Sequence, residues 1–128
     1  MDYSFALSPS GKYIHFVPTR PACTEAELIR RWSQVMALGR RERVYRALFD
    51  HRQCPPPTNV DMISAALRHP EWREGERWRI AMLLSPQLVN AARLQLEGVA
   101  EFVSAIEQEA EVFWEPERAE EWLTFDSA

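Results

Sequence analysis

The sequence predicts an α/β fold: one domain over residues 1–128, with a mixed, mostly parallel sheet of about five strands, an N-terminal antiparallel hairpin and about four helices. Its length of 128 residues, with 46% hydrophobic and 27% charged residues, is typical of a single globular domain. After two opening strand-like segments, apolar strand-like runs alternate with amphipathic helical runs. Connections that contain helices favour parallel pairing of the strands that they join.

The hairpin is predicted from two short segments, YSFAL at 3–7 and KYIHFV at 12–17, separated by SPSG. Both segments are rich in aromatic and β-branched residues, and Gly11 can adopt a left-handed turn conformation. In the first segment every second residue is apolar, which gives the strand one apolar face.

The first helix is predicted to begin at Thr24, because Thr24 and Glu27 have the spacing of a capping box. An apolar stripe at helical spacing follows, and Gly39 is a suitable helix stop. The arginine pairs at 30–31 and 40–41 are interpreted as the solvated face and the end of this helix. RVYRALF at 43–49 is the next predicted strand.

A second capping pattern, Thr58 with Asp61, predicts a helix that closes at His69, because the residue before a proline disfavours helical geometry. WRIAMLL at 78–84 shows no alternation and is expected to be a strand buried on both faces. Ser85, followed by a proline, predicts the start of a long third helix.

The C-terminal part of the chain predicts one more strand and one more helix. EVFW at 111–114 is the strand, and Pro116 opens the helix PERAEEWL. We expect Ala119, Trp122 and Leu123 to face inward.

Charge is distributed unevenly along the chain. Residues 1–79 hold 13 basic and 9 acidic residues, whereas residues 80–128 hold 2 basic and 10 acidic residues. This asymmetry has two interpretations: a basic face for an anionic partner, or charge complementarity within the fold or between two copies. With a pI near 5.4 and a single lysine, we do not expect nucleic-acid binding.

Composition also bears on location and cofactors. No apolar run has the length of a membrane helix and no signal peptide is visible, so we expect a cytoplasmic protein without membrane insertion. The four glycines are isolated, and neither the histidines nor the two cysteines show ligand spacing. We therefore expect no cofactor and no metal site.

With this order of elements, the sequence resembles the STAS-like group, named for sulfate transporter and anti-sigma-factor antagonist domains. Four stretches carry the resemblance: YSFALSPSGKYIHFV, the strand ending FD at 49–50, IAMLLSP, and EVFWEPERAEEWL. The last stretch is similar to the ending of small bacterial STAS-like proteins of unknown function. The group shares its fold with the lipid-binding part of CRAL-TRIO proteins.

The resemblance implies a regulatory role, because anti-sigma-factor antagonists carry a phosphorylated serine at the start of the helix after this strand. The topological counterpart is Thr58, which is the phospho-acceptor candidate. The sequence departs from the family pattern here, since it reads PPPTNVD where the family has Asp-Ser followed closely by Gly. The alternative role of Thr58 is that of a helix cap.

Asp50, His51 and Cys54 form the enzymatic candidate, because a histidine can generate a reactive thiolate and an acid can orient the imidazole. They follow a strand at the edge of the sheet where α/β folds place ligands. No recognisable oxyanion arrangement lies nearby, and three prolines restrict adjustment. We interpret the segment as a rigid connection and expect no catalytic residues.

Two surfaces are candidates for binding. Exposed tryptophan with arginine is frequent in protein contact surfaces, so Trp72, Arg73 and Arg77 form a predicted interaction surface. The third predicted helix offers a wide apolar surface for a ligand pocket or a second subunit. Its residues are Leu96, Val99, Phe102 and Val103.

These observations predict a non-enzymatic regulatory or protein-interaction module of STAS-like type, whose partner is another protein or, in a homodimer, a second copy. The alternative is a binder of a small apolar or lipid-like ligand. A thiol-dependent enzyme is the third class.

Overall fold

The computed structural model describes residues 2–54, 56, 60–73, 75–85 and 108–125. The strands are β1 (Tyr3–Leu7), β2 (Ile14–Pro18), β3 (Arg46–His51), β4 (Arg79–Leu84) and β5 (Glu109–Phe113). The described helices are α1 (Glu25–Glu42), α2 (Val60–Leu67), α3 (Pro70–Arg73) and α4 (Pro116–Thr124). The predicted α/β class, with a mixed five-stranded sheet, is confirmed. The third predicted helix falls in 86–107, outside the described residues.

The strand order in the sheet is the order of the strands in the chain, β1-β2-β3-β4-β5. β1 and β2 pair in antiparallel fashion, with Leu7 opposite Ile14, and the remaining neighbours pair in parallel. Gly11, with φ of 71°, lies in the turn of this hairpin. The predicted hairpin and its left-handed glycine are therefore confirmed.

The sheet separates two hydrophobic cores. The larger core lies between the sheet and α1, α2 and α3, and it includes Ile14, Phe49 and Ile80. The smaller core lies under α4, where Ala119 and Leu123 pack against the opposite face of the sheet. β4 is buried on both faces, as the unbroken apolar run predicts.

Helix α1 begins as predicted, but it ends later. The Glu27 backbone N–H donates to Thr24 Oγ1 over 3.1 Å, while the Glu27 carboxylate accepts from the Cys23 N–H over 3.0 Å. The helix continues through Gly39 to Glu42, and Arg43 caps it in the left-handed conformation, with φ of 57°. The prediction of Gly39 as the helix stop was wrong.

Gly39 has a packing role instead. A Cβ at this position would lie 2.7 Å from Trp78 Cζ2 and 2.7 Å from the Val44 carbonyl oxygen. The missing side chain lets the Trp78 indole, at the start of β4, lie directly against the last turns of α1. This close approach explains a glycine inside a helix, where it is otherwise unfavourable.

Two arginines attach the end of α4 to the strand starts. Arg46 Nη1 donates to the Leu123 carbonyl over 2.8 Å, and Arg79 Nη1 donates to the Phe125 carbonyl over 2.6 Å. The guanidinium of Arg79 also lies 5.5 Å from the centre of the Trp122 ring. Cations at the end of a helix satisfy carbonyls that have no partner within the helix. Part of the charge asymmetry therefore reflects complementarity within the fold.

We predict that Gly39→Ala destabilises the protein by about 1–3 kcal/mol, because the added methyl group overlaps the Trp78 ring and the Val44 carbonyl. Urea unfolding followed by circular dichroism measures the change. At an unconstrained helical site the same substitution stabilises by about 1 kcal/mol, so a more stable Gly39→Ala variant would contradict the packing role.

Candidate functional site

The candidate site is built around the end of β3, where successive side chains point to opposite faces of the sheet. Phe49 and His51 face the core under α1 and α2, whereas Leu48 lies in the core under α4. Asp50, which alternates with His51, contacts His15 on the face of Leu48. The predicted enzymatic candidates are therefore divided between the two faces.

Asp50 is a buried carboxylate in an ionic cluster whose other two members, His15 and Arg52, are partly exposed. Its carboxylate accepts from Arg52 Nε over 2.9 Å and from Arg52 Nη2 over 2.7 Å, and it lies 2.9 Å from His15 Nε2. Burial favours the neutral acid, but the hydrogen bonds from Arg52 and His15 outweigh this effect and hold the Asp50 pKa well below its usual value. Asp50 thus orients His15 and Arg52, and not His51.

On the other face, a cavity of about 50 Å³ lies between the sheet, α1 and α2. Its walls are almost entirely apolar. The sheet contributes Phe16, Phe49, Ile80 and Met82; the helices and the segment before α1 contribute Ala22, Leu28, Trp32, Ile63, Leu67 and Trp72. Ligand sites share this character, since they are concave and mostly apolar with a few polar groups, although they are generally larger.

Three polar side chains also line this cavity: Arg31, His51 and Cys54. Arg31 is only 6% exposed, so its interpretation as part of the solvated face of the first helix was wrong. Its position explains the burial, because Leu28, Arg31 and Val35 follow the 3–4 spacing of one helical face. Sequence reasoning missed this residue by grouping it with its exposed neighbour Arg30.

His51 and Cys54 lie together in the cavity wall, but they do not form a catalytic pair. His51 is 8% exposed, and burial lowers its pKa to about 4, so the ring is neutral at pH 7. Its Nδ1 contacts the backbone carbonyl of Cys54 at 3.3 Å. Cys54 is 3% exposed, and burial raises the pKa of its thiol. The site thus favours a protonated thiol, which is a poor nucleophile.

Trp72 does not lie on an exposed surface. It is 4% exposed and packs against Trp32, with ring centroids 5.5 Å apart. The prediction of an interaction surface centred on Trp72 was therefore wrong, because α3 turns this side chain into the cavity wall. Arg77 is exposed, as expected, and the Arg73 side chain lies outside what the structure describes.

Several predicted residues fall on positions outside the described ranges. These are Thr58, the phospho-acceptor candidate, and the apolar residues Leu96, Val99, Phe102 and Val103. Their predicted roles stay predictions.

Within the described part of the chain, no three histidine, cysteine, aspartate or glutamate side chains are grouped so as to hold a metal ion. None of its helices combines the length and the apolar character that crossing a membrane requires.

Comparison with known proteins does not assign the chain to a family: neither the protein-family models nor the curated proteins gave a match. The function is therefore inferred from the geometry of the site.

We predict that His51 makes stability depend on pH. The folded pKa of about 4 lies below the ordinary value of 6.5, so between these values only the unfolded chain takes up the proton. The free energy of unfolding should fall by on the order of 3 kcal/mol as the pH decreases from 6.5 to 4. Urea unfolding of His51→Gln should show a smaller decrease than that of the native protein. An unchanged decrease in His51→Gln would refute the assignment.

We also predict unequal reactivity of the two thiols. Iodoacetamide should modify exposed Cys23 rapidly at pH 7.5 and buried Cys54 far more slowly, because Cys54 is shielded and its pKa is raised. Peptide mapping by mass spectrometry at successive times measures both rates, and urea should make them similar. Rapid modification of Cys54 in the folded protein would favour the thiol-dependent enzyme.

Proposed function

We propose that this protein is a non-enzymatic regulatory domain of STAS-like type that binds a small apolar molecule in the cavity between the sheet, α1 and α2. The observation that carries the proposal is the cavity itself, whose walls combine aliphatic and aromatic side chains with a few polar groups. Ligand sites have this composition: the apolar surface supplies affinity and the polar groups supply orientation.

The size of the cavity limits the ligand. Its volume of about 50 Å³ is roughly a third of the ~150 Å³ apolar cavity that accepts benzene. By this comparison the cavity as it stands holds about two or three heavy atoms, so a four-carbon chain requires a small movement of the walls and a full lipid tail a large one. The proposed ligand is therefore smaller than the lipid-like ligand that the sequence also allows.

The chemistry of the cavity favours binding over catalysis. Neutral His51 and the protonated thiol of Cys54 support no thiolate, and Asp50 points to the opposite face of the sheet. A nucleophilic mechanism requires the base and the orienting acid to meet in space. We therefore retain the non-enzymatic interpretation as part of the proposal.

The protein partner and the homodimer stay predictions. The prediction of a protein partner relied on an exposed surface around Trp72, and this side chain is buried. The helix face predicted for the second subunit lies outside the described residues.

We predict that 1-butanol, a short uncharged probe, binds in this cavity. A methyl NMR titration should show saturable shifts for Ile63 and Leu67, which line the cavity, and much smaller ones for Leu83 and Leu123 in the other core. Ala22→Leu places a larger side chain in the cavity wall and should abolish these shifts. The matched control Ala37→Leu adds the same side chain on the exposed face of α1 and should retain them.

Two outcomes would count against a ligand cavity. One is the absence of saturable shifts in the native protein at any probe concentration that leaves it folded. The other is an equal response in Ala22→Leu and Ala37→Leu, which would place the binding elsewhere.

A further inference from the structure

Arg31 presents a positive charge to an otherwise apolar cavity. We infer that the ligand of this cavity is a small carboxylate with a short apolar tail, and that the guanidinium of Arg31 binds its carboxylate group. This inference rests on the proposed ligand-binding function and adds the chemical class of the ligand.

The first observation is the incomplete pairing of Arg31. Its Nη1 donates to the Arg20 carbonyl over 2.8 Å, and its guanidinium lies 4.8 Å from the centre of the Tyr3 ring. Among the residues that the structure describes, no aspartate or glutamate forms an ion pair with it. Buried arginines are ordinarily paired with an acid, because an isolated buried charge is costly.

The geometry of these contacts leaves one edge of the guanidinium for a ligand. The Arg20 carbonyl occupies Nη1 and the Tyr3 ring covers a face, while Nε and Nη2 donate to no acceptor in the described ranges. A planar carboxylate accepts two parallel hydrogen bonds from such an edge. A phosphate dianion carries a second negative charge and further oxygen acceptors, which this one edge does not satisfy.

The second observation is an indole N–H without an acceptor. Trp72 lines the cavity, and its Nε1 is buried with no hydrogen-bond partner within the described part of the chain. Buried tryptophan N–H groups usually have an acceptor. A ligand oxygen in the cavity would supply one, in addition to the acceptors that it offers Arg31.

The other two polar side chains in the cavity wall, His51 and Cys54, carry no negative charge that would pair with Arg31. His51 is neutral at pH 7 and Cys54 keeps its proton, since burial lowers the pKa of the first and raises that of the second. Among the described residues that line it, the cavity thus contains a cation and no anion. The apolar walls provide the complementary surface for a hydrocarbon tail.

The experiment compares butyrate with 1-butanol, two straight-chain molecules with the same total number of carbon atoms that differ in charge. Methyl NMR titrations at pH 7 and constant ionic strength give both dissociation constants. We expect butyrate to bind about ten-fold more tightly than 1-butanol, because its hydrogen bonds to Arg31 are charge-assisted. Inorganic phosphate should not displace butyrate.

Substitutions test the assignment to Arg31. Arg31→Met should reduce the preference for butyrate to none or reverse it, and Arg31→Lys should retain part of it. The control Arg30→Met removes the same charge from the exposed face of α1 and should keep the full preference. Trp72→Phe, which lacks the indole N–H, should weaken the binding of butyrate more than the binding of 1-butanol. If the methyl spectrum shows that Arg31→Met does not fold, the test is the preference for butyrate over 1-butanol in Arg31→Lys compared with that of the native protein.

The outcomes separate this inference from the proposed function. If 1-butanol binds as tightly as butyrate, or if phosphate displaces butyrate, the carboxylate assignment is overturned while the cavity remains a binding site. If Arg31→Lys and Arg31→Met both keep the native preference, another cation is responsible and the inference fails. If neither probe binds to the native protein, the proposed function itself fails.

Discussion

The alternation of side chains along β3 is the constraint on which the rest of the site depends. Because the strand is covered on both faces, each of its residues must enter one of two separate cores. Asp50 therefore joins His15 and Arg52, while His51 enters the cavity under α1 and α2. The two neighbouring residues therefore differ in charge and surroundings: Asp50 is ionised in the ionic cluster, and His51 is neutral in the wall of the mostly apolar cavity.

The burial of Arg31 sets the character of this cavity. An unpaired cation in an apolar environment costs free energy, which a carbonyl acceptor and an aromatic ring offset only in part. Its positive charge also contributes to the lowered pKa of His51, although burial is the larger cause. This incomplete pairing is the observation on which the proposed recognition of a carboxylate rests.

Elements whose signal is local could be predicted from the sequence. The hairpin, the Thr24 cap, the buried run of β4 and the start of α4 depend on residues within a few positions of one another. The errors concern contacts between distant residues. Gly39 lies inside α1 and does not end it; the glycine is explained by the Trp78 ring, which occupies the space of a side chain. Trp72 is buried because α3 directs it against Trp32. Periodicity could have indicated that Arg31 faces inward, but not that no acidic side chain in the described ranges pairs with it.

The strand order of the sheet has a consequence for how the chain folds. Because the strands lie side by side in the order in which they are synthesised, each new strand adds to the edge formed by the one before it. Each parallel pairing therefore joins strands that follow one another in the chain, as Ala47 pairs with Ile80, and no pairing has to wait for a later strand to insert between two earlier ones. All described walls of the cavity precede residue 85 in the chain, so they can assemble on the ribosome before β5 and α4 emerge. The C-terminal helix covers the opposite face, so the order of the chain allows the cavity to form before that second core.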